Sequence, residues 1–530
     1  MLLFAPIGMI LGFNLRDTLR NKRDIQTLER NDRLEQIIDL VDAKYVDSLD
    51  KDVLYEDAIN GILSHLDPHT VYIPANEYDE MNEALDGSFF GIGVEFSIIR
   101  DTIQVTSVID EGPANVAGVI VGDQLIKVGD SVVAGKSITS ERIIKMLKGK
   151  QYSKVYVTLL QPQDKKLKTV QIKRDIVPVY SVIANIMLDS ATGYIKINKF
   201  GANTYNEFIK AFKSLKEKGM QMLVVDLRQN AGGYLNAATE IADEFLEDNK
   251  LLVYTEGKNS PRKDYKAEKR GIFEQGRLAI LIDESSASAS EILAGAIQDW
   301  DRGVVIGRRS YGKGLVQEQY DMDNGAGLRL TIAKYYTPSG RSIQRSFAKG
   351  REAYEEDFAK RFESGELIGN DTAHVLDTTK YYTGNKRVVY GGGGIKPDVY
   401  VPYDTAKLSN ALLNIVYTDE MKNEVWDYFM KHRADLLKYK TVKAFEAEMN
   451  TEDLLMDYVN TLAPSAKNLA KKILAAPYNR NYLKLQMQAQ LARILFGNNG
   501  YFSISIKDDN VVQMAKRVLH SDTYSKIIGR

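Results

Sequence analysis

At 530 residues the chain is too long for one hydrophobic core, and at roughly 150 residues per domain it should hold about three or four. With 44% hydrophobic and 27% charged residues it is globular rather than disordered or collagen-like. Seventy Lys and Arg against 71 Asp and Glu leave a net charge of -1, no field for holding nucleic acid, and the absence of Cys excludes disulfides, thiolate nucleophiles and Cys-ligated zinc. The 5 histidines (His65, His69, His374, His432 and His520) form no H-E-x-x-H or similar ligand set, so no metal is expected; His65 and His69 are read as structural.

Residues 1–13, MLLFAPIGMILGF, are apolar but shorter than the roughly 18 or more needed to span a bilayer, which suits a signal h-region or a truncated anchor. Basic residues follow this segment (Arg16, Arg20, Lys22, Arg23) and none precedes it, a charge order that opposes export unless a basic stretch lies upstream. We read 1–23 as a hydrophobic signal or anchor and 24–86 as a helical lead-in, with Leu34, Ile37, Ile38 and Val41 on one helical face and Asp67-Pro68 as a break.

From 87 to 175 the periodicity changes to 2, with strands such as Val155-Tyr156-Val157-Thr158-Leu159 around a short helix at 140–148. This β-rich stretch carries Gly91-Ile92-Gly93-Val94, a Gly-rich turn leading into a strand, which can present backbone N–H groups to a C-terminal carboxylate while the strand edge pairs with the tail. Tight turns alone would also account for the glycines. The string from Gly112-Pro113-Ala114 to Gly122-Asp123-Gln124-Leu125 resembles the signature of PDZ domains.

Between 176 and 403 apolar strands (Met222–Val225, Leu278–Ile282) alternate with helical runs, the pattern of a mainly parallel α/β sheet, whose strand ends commonly hold the chemistry. Three segments there stand out. Val225-Asp226-Leu227-Arg228-Gln229-Asn230-Ala231-Gly232-Gly233 runs a strand into paired glycines, where backbone N–H groups can meet a ligand or simply turn into a helix. Ser285-Ser286-Ala287-Ser288-Ala289-Ser290-Glu291 joins a buried strand to a helix; on pattern alone Ser288 and Glu291 make a capping box, and a serine so placed can also face a ligand at the sheet edge. Gly307 to Gln317 approximates a P-loop, but Gly314 stands where a magnesium-binding hydroxyl is required. A lysine in such a turn has another use as general base, for which its pKa must fall from about 10.4 to roughly 7.5, a cost of about 4 kcal/mol that calls for tight packing. The stretch 341–390 is polar and reads as a partly ordered insertion, and 404–530 reads as helices.

In this order, with Leu66-Asp67-Pro68-His69-Thr70, Tyr336-Thr337-Pro338-Ser339-Gly340-Arg341 and Gly393-Gly394-Ile395-Lys396-Pro397-Asp398, these segments resemble the carboxyl-terminal processing peptidases, or tail-specific proteases. The resemblance runs from about Leu66 to Pro402. It implies an α/β multidomain chain in which a PDZ domain (87–175) precedes an α/β serine protease core (176–403), flanked by helical N- and C-terminal regions. It further implies Ser288 as nucleophile, Lys313 as base, Gln317 orienting the lysine, and an oxyanion hole of backbone N–H groups from Ala289 and from Gly232 or Gly233, with Gly232 favoured. Gly91, Ile92, Gly93 and Val94 would hold the substrate tail. No cofactor is implied; the partners expected are unstructured C-terminal tails, with room for a membrane anchor and for a homo-oligomer or adaptor. The expected location is the cell envelope, facing the periplasm from the inner membrane. The competing readings are an inactive PDZ adaptor and a P-loop nucleotide hydrolase.

Overall fold

The computed structural model describes residues 33–135, 138–162, 165–369, 379–405 and 409–529. The apolar segment 1–13 and the basic residues after it lie outside these, as does His374. Among the described residues no helix is long and apolar enough to cross a membrane.

The chain forms two compact units, the smaller made of 33–75 with 318–331. It holds helices at 33–44 and Lys51–Leu63, the second capped by Asp50, whose carboxylate accepts the Asp52 N–H at 2.9 Å. The break expected at Asp67-Pro68 is present: the Asp67 carboxylate accepts the N–H of His69 (2.9 Å) and the hydroxyl of Thr70 (2.7 Å). After it comes a strand that helical periodicity did not suggest, Val71–Ile73, antiparallel to Gly327–Arg329. Its β-branched Val71 and Ile73 suit a strand.

In the larger unit the β-rich module is built on a sheet with strands in the order Val94–Ile99, Thr102–Val108, Gln124–Val128, Lys154–Leu160, Leu167–Lys173, while Ser88–Gly91 at its entry pairs separately with Asp175–Pro178. Val155, Val157 and Leu159 point into its core with Ile143 and Leu147 of the helix Ser140–Leu147, and the residues between face out, as period 2 requires. Val94–Ile99 is an edge strand, continuing directly from the Gly91-Ile92-Gly93 turn.

The α/β core is a sheet of β1 (Val182–Met187), β2 (Thr192–Ile197), β3 (Met222–Asp226), β4 (Leu278–Ile282), β5 (Val304–Gly307) and β6 (Val399–Tyr400), in that spatial order. β1 is antiparallel to β2 and all later pairs are parallel. Both faces are covered, which is why β4 and β5 are continuously apolar. Ile195, Val225, Ile280 and Val305 pack toward α1 (Thr204–Glu217), α2 (Leu235–Asp243) and α3 (Ala289–Asp299). Tyr194, Val224, Leu281 and Ile306 pack the other way, against Val511, Val512, Ala515 and Leu519 of α4 (Asn510–Leu519). The C-terminal region, whose role the sequence left open, therefore supplies the third layer of the core.

Helices between 410 and 505 form a further cluster around Trp426, Phe429, Phe445 and Leu483. The last of them, Pro477–Ser505, is kinked at Gly497 and reaches β1, where Asn499 and Asn185 exchange two hydrogen bonds of 2.8 Å. On the other side the cluster takes in Ile99 of the β-rich module, and Arg433 donates to the Val121 carbonyl at 3.2 Å. The polar stretch after 341 contains two short helices, Arg351–Glu355 and Asp357–Glu363, and the hairpin Lys380–Tyr382 with Val388–Tyr390, while 370–378 lie outside the described residues.

Because Leu519 is fully buried against the sheet, Leu519→Ala should destabilise the protein by about 2–5 kcal/mol, read from urea unfolding. A helix merely resting on the outside would give well under 1 kcal/mol.

Candidate active site

The three segments singled out in the sequence leave the C-terminal ends of the neighbouring parallel strands β3, β4 and β5, and so converge at one edge of the sheet. Ser288 lies between β4 and α3 with φ 55° and ψ -115°, a conformation costing about 1–3 kcal/mol that neighbouring contacts must hold in place. One of those contacts is Gly232 (φ 102°): a Cβ there would come within 2.8 Å of both the Ser288 Cβ and the Ala287 carbonyl oxygen. Only glycine lets the two turns lie this close.

Asn230 ties the loops together from below. Its carbonyl accepts the Ala287 N–H at 3.0 Å and the Ser290 hydroxyl at 2.9 Å. Its side chain accepts the Gly232 N–H at 2.9 Å and donates to the Ile197 carbonyl at 3.0 Å. Ser290 is thus buried and structural. The Gly232 N–H is already engaged, whereas those of Gly233 and Ala289 donate to no other described residue.

Glu291 does more than cap. Fully buried in the first turn of α3, it accepts four hydrogen bonds, two at each oxygen: Oε2 takes the N–H groups of Ser288 and Lys313, both at 2.9 Å, and Oε1 takes the Gly312 N–H at 2.8 Å and the Ser310 hydroxyl at 2.5 Å. The Ser288 and Lys313 nitrogens are therefore no farther apart than twice 2.9 Å. Burial pushes the Glu291 carboxyl up to about 7, against the pull of Ser310 and the backbone donors. Tyr335 adds a second tie, donating to the Lys313 carbonyl at 2.6 Å and lying 3.1 Å from that of Ser288. Burial, and then the charge of Glu291, raise its phenol far above the ordinary value, so it stays a donor.

The Lys313 ammonium donates to Gln317 Oε1 at 2.9 Å. The surrounding loop is pinned throughout: Gly314 N–H to Gln344 Oε1 (2.8 Å), Ser310 N–H to the Ile395 carbonyl (3.1 Å), and Arg309 and Arg361 both to Glu366. A phosphate cradle needs its N–H groups for a ligand. Here those of Gly312 and Lys313 end on a carboxylate and that of Gly314 on a side-chain amide, an arrangement that disfavours a nucleotide.

On the β3 side, Asp226 is fully buried and bound by Arg228 (2.6 Å), by Tyr194 (2.7 Å) and at longer range by Lys196 (3.6 Å). Burial alone would raise its carboxyl, but Arg228 and Lys196 outweigh this and hold it far below the usual range. Sequence reasoning singled out the segment that holds Asp226, Arg228 and Asn230 for its paired glycines, but not Tyr335 or the Tyr194 and Lys196 partners of Asp226, and Glu291 had only the capping pattern as a signal. Among the described residues there is no cluster of metal-binding side chains. In the β-rich module Gly93 has φ 76°, and the carbonyls of Ile92 and Gly93 accept from Ala114 (2.8 Å) and Ile109 (3.0 Å), which fixes the turn before the edge strand.

A model of peptidase family S41 matches residues 191–350, a PDZ domain model matches 81–160, and a model of the activating protease CtpB N-terminal domain matches 14–77. A family of unknown function matches 412–497. Carboxy-terminal processing protease CtpB of Bacillus subtilis (strain 168) is 32% identical over 359 residues, covering 65% of this chain and 74% of the relative. The carboxy-terminal-processing protease of Bartonella bacilliformis is 32% identical over 349 residues, covering 64% and 80%. Among solved structures, a photosystem II D1 C-terminal processing protease is 28% identical over 59% of this chain and 89% of its own, with a TM-score of 0.34, too loose a likeness to carry an argument.

The raised Glu291 carboxyl has a signed consequence. Its folded value of about 7 exceeds the ordinary 4.5, so the stability it contributes is full below about pH 4.5 and is lost as pH rises through 7. Urea unfolding of wild type and Glu291→Gln should show the wild-type advantage shrinking by ~3 kcal/mol between pH 4.5 and 8. The amide also turns an N–H toward two of the four donors, so proteolysis should fall at least tenfold at pH 8, about 1.4 kcal/mol or more in transition-state terms.

Proposed function

The chain belongs to the carboxy-terminal processing proteases, and on that premise we propose a serine endopeptidase that cuts proteins near or from their C-terminal tails, with Ser288 as nucleophile and Lys313 as general base. The observation that carries this reading is the shared acceptor: the N–H groups of Ser288 and Lys313 both end on Glu291 Oε2 at 2.9 Å, making the two turns one hydrogen-bonded unit. Gln317 Oε1, 2.9 Å from the lysine nitrogen, orients it.

In the proposed reaction the neutral Lys313 amine takes the Ser288 hydroxyl proton as the oxygen bonds to the scissile carbonyl carbon. The oxyanion is met by N–H groups of Ala289, at the start of α3, and of the Gly232-Gly233 pair, of which the Gly233 N–H is not already engaged. Collapse breaks the C–N bond, the lysine proton goes to the departing amine, and water hydrolyses the ester. The PDZ domain would receive an unstructured tail at Gly91, Ile92, Gly93 and Val94, adding it as a strand beside Val94–Ile99. We place the enzyme at the cell envelope, facing the periplasm, chiefly on the family resemblance, with the apolar segment 1–13 as its candidate anchor.

Ser288→Ala should lose all measurable proteolysis of an unstructured substrate while remaining folded, and Lys313→Arg should do the same, since arginine stays protonated. Wild-type turnover should rise with pH, because only the neutral Lys313 amine can accept the Ser288 proton. Wild-type turnover by Ser288→Ala would end the assignment of Ser288 as nucleophile. Substrates with an amidated C-terminus should be captured more weakly than free acids; equal binding would remove the tail from the PDZ assignment.

A further inference from the structure

The loop that carries Gly232 and Gly233 is held from a part of the chain nearly 300 positions away. Arg228 precedes Asn230 by two residues, and Asn230 is the group on which the Ala287 and Ser290 bonds converge. Between them Gln229 has φ 59°, a left-handed backbone for a residue with a side chain, which persists only if its flanks are fixed. On the far side the Asn230 N–H donates to the Leu227 carbonyl at 3.1 Å, and the peptide before Gln229 is held by its own N–H to Asp283 Oδ1 at 3.0 Å. On the near side the Arg228 carbonyl accepts from Lys196 at 2.9 Å, and the guanidinium is shared by two carboxylates.

One of these, Asp226, is the last residue of β3 and holds Arg228 to the sheet from which the loop departs. The other is Asp509, 2.9 Å from Arg228 Nη1 and placed just before α4, whose first turn it also caps by accepting the N–H groups of Val511 and Val512 at 3.0 Å each. Since α4 is packed on β4 and β5 through a continuous apolar face, Asp509 is a rigid outside reference for the loop. It lies in the C-terminal helical region, beyond the segment that matches peptidase family S41.

We propose that Asp509 is a positioning residue for hydrolysis: through Arg228 it sets the place of the Asn230–Gly233 backbone against Ser288, so that the C-terminal layer conditions how well the oxyanion is met. Its effect is on the rate of the chemical step and not on capture of the tail, which occurs in another domain. The inference rests on the proposed Ser288–Lys313 chemistry.

Asp509→Asn tests it, because asparagine caps a helix as well as aspartate but removes the charge from Arg228; Asp509→Ser, which also caps, serves as the second variant. With wild type active and Ser288→Ala inactive as controls, kcat should fall about tenfold with KM within twofold, as expected for a small misplacement at a reacting centre. The affinity for a peptide aldehyde, whose hemiacetal with Ser288 mimics the oxyanion, should fall by a similar factor, while binding of a free tail peptide and the thermal midpoint stay near wild type. Wild-type kcat and aldehyde affinity in a folded Asp509→Asn enzyme would overturn the proposal. Failure of both variants to fold would also overturn it, by showing that Asp509 acts through stability alone. Loss of the difference between wild type and Ser288→Ala would instead strike the underlying reading.

Discussion

A single buried carboxylate, Glu291, decides how the site is built. Two oxygens with four donors leave it no spare acceptor geometry, and the donors come from both the Ser288 and the Lys313 turns. Burying a carboxylate without such partners would cost several kcal/mol, so the turns must close around it for the core to fold. The strained Ser288 backbone persists for the same reason. The N-terminus of α3 and the Ser288 and Lys313 turns are thus joined through one side chain.

Around that centre the structure is layered by charge and by apolar contact. Asp226, Arg228, Lys196 and Asp509 balance one another beneath the Asn230–Gly233 loop, and α4 closes the sheet over them. The helices from 410 to 505 then reach in two directions, to β1 through Asn185 and Asn499 and to the PDZ domain through Ile99 and Arg433. The C-terminal region, in which sequence periodicity shows only helices, is in this way in contact with both the PDZ domain and the α/β core.

Much of this was legible in the residues because the signals are local. Period 2 over 154–160, the continuous apolar runs at β4 and β5, and the Pro and Gly breaks each follow from a few neighbouring side chains, and the structure forms the corresponding elements. Ser288 was visible as a helix cap and, through the family resemblance, as a nucleophile, but Glu291 only as a cap, since nothing in S-x-x-E says that Lys313 will share its acceptor 22 residues later. Tyr335 and Asp509 had no signal at all: an aromatic residue in a strand and an aspartate before a helix are ordinary, and their roles arise from packing across 22 and 281 positions. The strand Val71–Ile73 was hidden by its position between helical patterns and by a partner, Gly327–Arg329, far along the chain.

The account's central claim is that Ser288, activated by Lys313, becomes covalently acylated. Rapid acid quenching during turnover of a slowly hydrolysed peptide ester, followed by intact mass measurement and peptide mapping, tests it most directly. The predicted result is one acyl group on the peptide containing Ser288 in wild type and none in Lys313→Ala. An acyl group on a different residue, or equal acylation of the lysine variant, would contradict the account.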